Sequence, residues 1–170
     1  MSDQLIYSTA LDDGMPALLS SFITGQARHE TGNYTHRFFT LGKNAFGYSY
    51  NKLSKWQIQG GDRADNGVPI AQYRSVADSV HELTDWIKRR QKEGKFPKDL
   101  TQIRSASEYA MLLKKSGYYQ APLSVYVSGI VNALKKLPEN IYKAIPPGGN
   151  IIVLLIIVGV AFYFLTKQNQ

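Results

Sequence analysis

Apolar positions recur at three- and four-residue intervals over most of the chain, which is the period of a helix packed on one side. Leu18, Leu19, Phe22, Ile23, Gln26, Ala27 and Glu30 share one face of an amphipathic helix that opens at Met15-Pro16 and stops at Gly32. Proline suits the first helical position because its missing N–H would be unpaired there. Glycine ends a helix because it enters the left-handed conformation at little cost. Val76, Val80, Leu83 and Ile87 form the stripe of a second helix running to about Glu93, with Ser75 and Asp78 spaced as a capping box. Ser105 and Glu108 open a third helix, which stops at Gly117, and Pro122 opens a fourth with Leu123, Val127, Ile130, Val131 and Leu134 inward. Only between Trp56 and Tyr73 does the pattern change. Trp56-Gln57-Ile58-Gln59 and Val68-Pro69-Ile70-Ala71-Gln72-Tyr73 flank Asp65-Asn66-Gly67, and Asn-Gly is a hairpin-turn signal. The pattern predicts a mainly helical α+β domain over 1–137 with one small β-hairpin lobe.

The last stretch obeys a different rule. Ile151 to Leu165 reads IIVLLIIVGVAFYFL, without a charge or a polar face, behind a linker over 138–150 that contains Pro146-Pro147-Gly148-Gly149. As a helix the run spans about 22 Å, against a hydrocarbon core of roughly 30 Å. Gly149, Asn150 and Thr166 lengthen it, and local thinning of the bilayer absorbs the remainder. A buried core helix would explain the run too, but the linker and the uniform apolarity favour a C-terminal transmembrane helix over 151–166. The expected location is therefore a membrane, reached by a single pass. Lys135, Lys136 and Lys143 precede the span and Lys167 comes after it, a bias that leaves the N-terminal domain on the cytoplasmic side at synthesis. The opening MSDQLIYSTALDDG lacks the basic start and long apolar stretch of an export signal.

Composition narrows the chemistry. With 170 residues, 44% of them hydrophobic and 12% aromatic, the chain can build one modest core plus extras. It has no cysteine, which excludes disulfides and thiolate chemistry. The net charge of +7 implies an anionic partner: nucleic acid, a cell-wall polymer or lipid headgroups. Lys88-Arg89-Arg90 and Lys92 cluster at the end of a predicted helix, where the dipole favours cations, so they read as a solvated face. No nucleic-acid motif accompanies them, and no nucleic-acid partner is expected. His81-Glu82-Leu83-Thr84-Asp85 starts like a zinc-protease helix but has Asp85 in place of the second histidine, and His29 and His36 lack a third ligand. No metal or cofactor is expected.

Glu30 is the residue with the most suggestive position. It ends the first predicted helix on its core-facing stripe. Partial desolvation and the negative end of the helix dipole both favour the protonated carboxyl there. Such a group can protonate a glycosidic oxygen. An ordinary solvated glutamate at a helix end has the same spacing.

A series of motifs extends this reading. Ala27-Arg28-His29-Glu30-Thr31-Gly32 is succeeded by Asn44-Ala45-Phe46-Gly47, then Tyr73-Arg74-Ser75-Val76-Ala77-Asp78-Ser79, Glu108-Tyr109-Ala110, and Gly117-Tyr118-Tyr119-Gln120-Ala121-Pro122 with Tyr126. In order and spacing, over roughly residues 15 to 132, the series resembles the glucosaminidase family of peptidoglycan hydrolases, the group that includes flagellar muramidase-type enzymes. Lys43 departs from an Asn common in the family, and Gln120-Ala121 replaces Thr-Asp before the proline. The resemblance implies a lysozyme-like domain with a cleft between a helical and a β lobe. It also implies cleavage of the glycan strand between N-acetylglucosamine and N-acetylmuramic acid. Glu30 is then the acid, and Asn44, Phe46, Gly47, Tyr73 and Tyr118 are the candidate substrate-binding residues, Phe46 and Gly47 as the cleft floor. Tyr73, Trp56 and Tyr48 are candidates to stack on sugar rings, or are core.

Glycosidases commonly pair two carboxyls. Asp62 and Asp65 lie on the predicted hairpin. Asp65, directly before Asn-Gly, reads better as a turn residue, so Asp62 is the candidate second acid. A lytic transglycosylase, which needs one acid, stays open, as does a glycan-binding structural protein without activity. A wall-cutting domain with a tail anchor and no export signal suits a bacteriophage whose virion contains a membrane. The expected partners are peptidoglycan strands, the lipid bilayer through Ile151–Leu165, and other virion membrane or capsid proteins.

Overall fold

A computed structural model describes residues 2–64 and 67–145. Its elements run α1 (Ser2–Asp12), α2 (Ala17–Glu30), α3 (Arg37–Thr40), β1 (Gln57–Arg63), β2 (Pro69–Tyr73), α4 (Val76–Lys92), α5 (Ala106–Lys115), α6 (Leu123–Leu134) and α7 (Glu139–Tyr142). The axis is α2, against which α1, α5 and α6 pack, while α4 lies on α1 and β2. Among the described residues this is a mainly helical α+β fold with one two-stranded antiparallel sheet.

The amphipathic reading of α2 needs correcting. Leu19, Phe22, Ile23 and Ala27 are buried, but so are Ser20, Ser21 and Thr24 on the other side, all at 0% exposure. Their hydroxyls remain satisfied because each donates to a nearby carbonyl. Thr24 Oγ1 reaches Ser20 O at 2.8 Å, Ser21 Oγ reaches Ala17 O at 3.1 Å and Ile141 O at 3.3 Å, and Ser20 Oγ reaches Met15 O at 3.3 Å. A helix that looks half polar in sequence can thus be covered on both sides. Pro16 stands one position earlier than expected, as the N-cap residue.

The capping boxes of α4 and α5 form as the spacing predicts, Ser75 with Asp78 and Ser105 with Glu108. Val80, Leu83 and Ile87 on α4 and Val127, Ile130 and Leu134 on α6 are core residues. The helix α1 is an addition, carried by Ile6 and Ala10 at 0% exposure against α2 and α4.

The hairpin pairs Gln57 with Tyr73, Gln59 with Gln72, Gly60 with Ala71 and Arg63 with Pro69, with two register irregularities. Strand β1 therefore extends through Gly60-Gly61, four residues beyond the expected end. Gly67 adopts φ +78°, in keeping with the Asn-Gly signal, while Asp65 and Asn66 lie outside the described residues. No helix among the described residues is long and apolar enough to cross a membrane. The apolar run Ile151–Leu165 and the Pro/Gly segment before it also lie outside the described residues.

Candidate active site

Glu30 is the last residue of α2, and the chain leaves it through an unusual turn. Gly32, Asn33 and Tyr34 all have positive φ, at +55°, +60° and +68°. For a side chain such as tyrosine that conformation costs roughly 1–2 kcal/mol. A local network compensates. Thr31 Oγ1 donates to Ala27 O at 2.6 Å and accepts from Tyr34 N at 2.9 Å. Arg28 grips both carboxylate oxygens of Asp3 at 2.8 Å, Tyr34 Oη donates to Asp3 Oδ1 at 2.6 Å, and Arg28 also donates to Asn33 Oδ1 at 3.2 Å. The turn directly behind Glu30 is therefore pinned to the first turn of α1.

The Glu30 carboxyl is half-buried. Its Oε1 accepts a 2.5 Å hydrogen bond from Tyr126 Oη on α6. Burial raises its pKa above the usual carboxyl value, and the bond from Tyr126 opposes that rise only in part. Tyr126 is itself fixed, stacked on Tyr119 with centroids 3.7 Å apart and meeting the His29 ring edge-on at 5.3 Å. Helix α6 can come this close because Gly129 faces His29, whose ring occupies the space a Cβ would need. One turn before Glu30, Gln26 accepts from the fully buried Tyr109 hydroxyl at 2.5 Å. Tyr109 is the tyrosine of the Glu108-Tyr109-Ala110 motif.

The opposite wall is the Asn44–Tyr48 loop. Asn44 is 1% exposed. Its Nδ2 donates to Tyr48 O at 2.9 Å and Ala71 O at 3.1 Å, and its Oδ1 accepts from Phe46 N at 3.3 Å and Tyr48 N at 3.1 Å. Asn44 is thus occupied in shaping the loop and faces away from substrate space. Gly47 (φ +65°) passes beside the acid, and a Cβ there would lie 3.8 Å from Glu30 Oε2. Tyr118 Oη donates to Phe46 O at 2.8 Å, and its ring meets Tyr48 and Trp86 edge-on.

Between these walls lies a cleft of about 440 Å³ whose lining includes Glu30, Phe46, Gly47, Tyr48, Trp86 and Tyr118. Of the residues picked out by sequence, Glu30, Phe46, Gly47 and Tyr118 converge here. The Tyr48 hydroxyl, buried and without a hydrogen-bond partner among the described residues, belongs to the same cleft. Burial and the carboxyl groups of Glu82 and Glu30 hold its pKa well up.

The other sequence candidates are placed differently. Tyr73 is 3% exposed, and its hydroxyl donates to Glu82 Oε2 at 2.7 Å, so it supports the site from behind. Asp62 does not reach the cleft. It sits beside a β1 register irregularity with 54% of its side chain exposed, 3.5 Å from Arg37, in a separate recess of about 80 Å³ lined by Arg37, Gly61 and Gln72.

The second carboxyl that lines the cleft is Glu82 on α4, which sequence reasoning passed over. It is 9% exposed, and Gln57 Nε2 donates to both its oxygens at 3.0 Å. The available signal was its helical spacing with Ser79, Trp86 and Arg89, a polar and aromatic face beside the core stripe. His81, from the motif that starts like a zinc-protease helix, bonds through Nδ1 to both oxygens of Asp13 at 2.9 Å and stacks on Trp56.

A site with one half-buried carboxyl, aromatic walls and a close-passing glycine suits proton transfer to a sugar oxygen. Comparison with known proteins agrees with that chemistry. The glucosaminidase family model, described as mannosyl-glycoprotein endo-beta-N-acetylglucosaminidase, matches residues 13–139. No curated protein matches the chain. A chain in the structure of a type VI secretion system effector-immunity complex from Pseudomonas protegens superposes with TM-score 0.53 at 18% identity, over 78% of this chain and 85% of that one. That likeness concerns the fold. The family model spans the cleft and both its walls and leads to one assignment: the chain belongs to the glucosaminidase family of lysozyme-like glycoside hydrolases.

Proposed function

We propose that this chain is a membrane-anchored peptidoglycan hydrolase that cuts the glycan strand between N-acetylglucosamine and N-acetylmuramic acid. The observation that carries the reading is Glu30, with one oxygen held by Tyr126 and the other beside Gly47 at the cleft. In the reaction the Glu30 carboxyl gives its proton to the glycosidic oxygen as the bond from that oxygen to the sugar C1 breaks. The resulting carboxylate takes a proton from the incoming nucleophile. For a hydrolase that nucleophile is water. For a lytic transglycosylase it is the C6 hydroxyl of the same sugar, which closes an anhydro ring.

The second form has an observation in its favour. Glu82, the other carboxyl on the cleft, already accepts from Gln57 and Tyr73, and Asp62 lies in another recess. Glu30 is then the one cleft carboxyl among the described residues with an oxygen free of side-chain donors. Digestion of purified peptidoglycan and mass spectrometry of the released fragments decide between the forms. Reducing ends identify the hydrolase and anhydro ends the transglycosylase. Binding to the wall with no release of fragments would overturn both in favour of a structural, glycan-binding protein.

The anchor in this proposal is the uncharged run Ile151–Leu165, and the setting is a bacteriophage particle with an internal membrane, or the inner membrane of its host. Other membrane or capsid proteins of that virion would be its neighbours. Detection in lipid-containing particles, with loss of membrane association on deletion of 151–165, is the expected result. An exclusively cytosolic location in a bacterium would exclude it.

A further inference from the structure

The cleft does not end at its own walls. Asn51, Glu82 and Arg89 line both it and an adjoining groove of about 640 Å³, which continues past Trp56 along the last turns of α4. Asp85, Lys88, Arg89 and Lys92 stand on that helix at spacings of three, four and seven residues, so they present one face to the groove. The basic cluster read in sequence as a solvated helix end is divided by the fold. Arg90 turns away to pair with Glu93 at 2.6 Å and to cover the Trp86 ring. Lys88, Arg89 and Lys92 line the groove, and none of them has a carboxylate within ion-pair distance among the described residues.

The groove's own acids are already engaged. Asp85 Oδ2 is held by Lys55 at 3.0 Å and by Trp56 Nε1 at 2.9 Å, and Glu82 by Gln57 and Tyr73. Three cations with no ion pair among the described residues, Lys88 near enough to Asp85 to feel its charge, therefore extend the cleft where a bound polymer would continue. A neutral glycan offers them hydrogen-bond acceptors but no countercharge, whereas one bearing carboxylates at intervals offers both.

We propose that this groove is a subsite for the carboxylates of the peptide stems carried by the glycan strand, with Lys88, Arg89 and Lys92 as the groups that bind them. The subsite rests on the peptidoglycan reading and deepens it: the enzyme would select strands that still bear peptides.

The test uses the full chain with Glu30→Gln, so that ligands bind without turnover. Three ligands are compared: intact peptidoglycan fragments, strands stripped of peptides by an amidase, and neutral N-acetylglucosamine oligomers. Intact fragments should bind about tenfold more tightly than stripped strands. Adding Lys88→Gln with Lys92→Gln should erase that difference, through the loss of two partly exposed charge contacts. Lys88→Arg with Lys92→Arg should restore it, and the neutral oligomers should bind both forms alike within about twofold.

Equal binding of stripped and intact strands would show that the stem carboxylates add nothing and overturn the peptide subsite. Unchanged binding of intact fragments in the glutamine variant would overturn it as well. If the Glu30→Gln protein binds none of the three ligands, the peptidoglycan reading itself fails.

Discussion

Glu30 and Asp62 are both carboxyl groups, both lie beside recesses, and the sequence nominates both as catalytic. Their surroundings differ in almost every respect. Glu30 ends a helix buried on both sides and has a tyrosine hydroxyl on one oxygen and a glycine backbone beside the other. Asp62 stands on an irregular strand, more than half exposed, with an arginine 3.5 Å away. An acid useful at neutral pH needs an environment in which its charged form is disfavoured, and burial supplies that environment to Glu30. Burial, more than residue type or nearness to a hairpin, distinguishes the two.

The sharpest way to break this comparison is to neutralise each carboxyl in turn. Glu30→Gln should lower the rate of fragment release from peptidoglycan roughly 1000-fold, the scale of a lost general acid. Asp62→Asn should leave the rate within about twofold. Glu30→Gln should also raise the thermal midpoint at pH 8 and leave it unchanged at pH 4. The sign comes from linkage. A carboxyl whose folded pKa is raised contributes stability below its unfolded pKa and loses it as pH rises through the folded value. Glutamine removes that loss.

A second test moves the wall behind the acid. Gly129→Val would drive a side chain into the His29 ring and push α6, with Tyr126, away from α2. The expected cost is about 1–3 kcal/mol in urea denaturation, with a fall in activity. A subtler change is Tyr126→Phe. It deletes the hydrogen bond that holds the Glu30 pKa down, so the alkaline limb of the pH–rate profile should move to higher pH. A downward shift would mean that the hydroxyl supports the acid in some other way.

The smallest effect concerns Lys43, which adopts φ +55° without being a glycine. Asparagine tolerates that conformation better than lysine, so Lys43→Asn should stabilise the fold by about 0.5 kcal/mol in the same denaturation assay. A departure that sequence alone leaves unexplained is a position with an unusual backbone.

The legible parts of this protein are those decided locally. The capping boxes at Ser75 and Ser105, the stripes of α4 and α6 and the placement of Glu30 at a helix end depend on neighbours within a few residues. The parts that sequence reasoning misses depend on distant partners. Helix α1 carries Leu5, Ile6, Tyr7, Ala10 and Leu11 without a sharp apolar stripe, and its buried Asp3 makes sense only beside Arg28 and Tyr34. Glu82 looks like a solvated helical glutamate until Gln57 and Tyr73 arrive from the hairpin. Asp62 gives no sign in sequence of its neighbour, and only the folded hairpin shows it beside Arg37 in a recess of its own.

Asp3 has one more consequence, for anyone cutting this protein into fragments. The family model starts at residue 13, ten positions after the carboxylate that secures the turn behind Glu30. A fragment trimmed to that boundary would keep Glu30, Phe46, Gly47, Glu82 and Tyr118 and lose the brace that steadies the acid. For this chain the working unit is longer than its recognisable one.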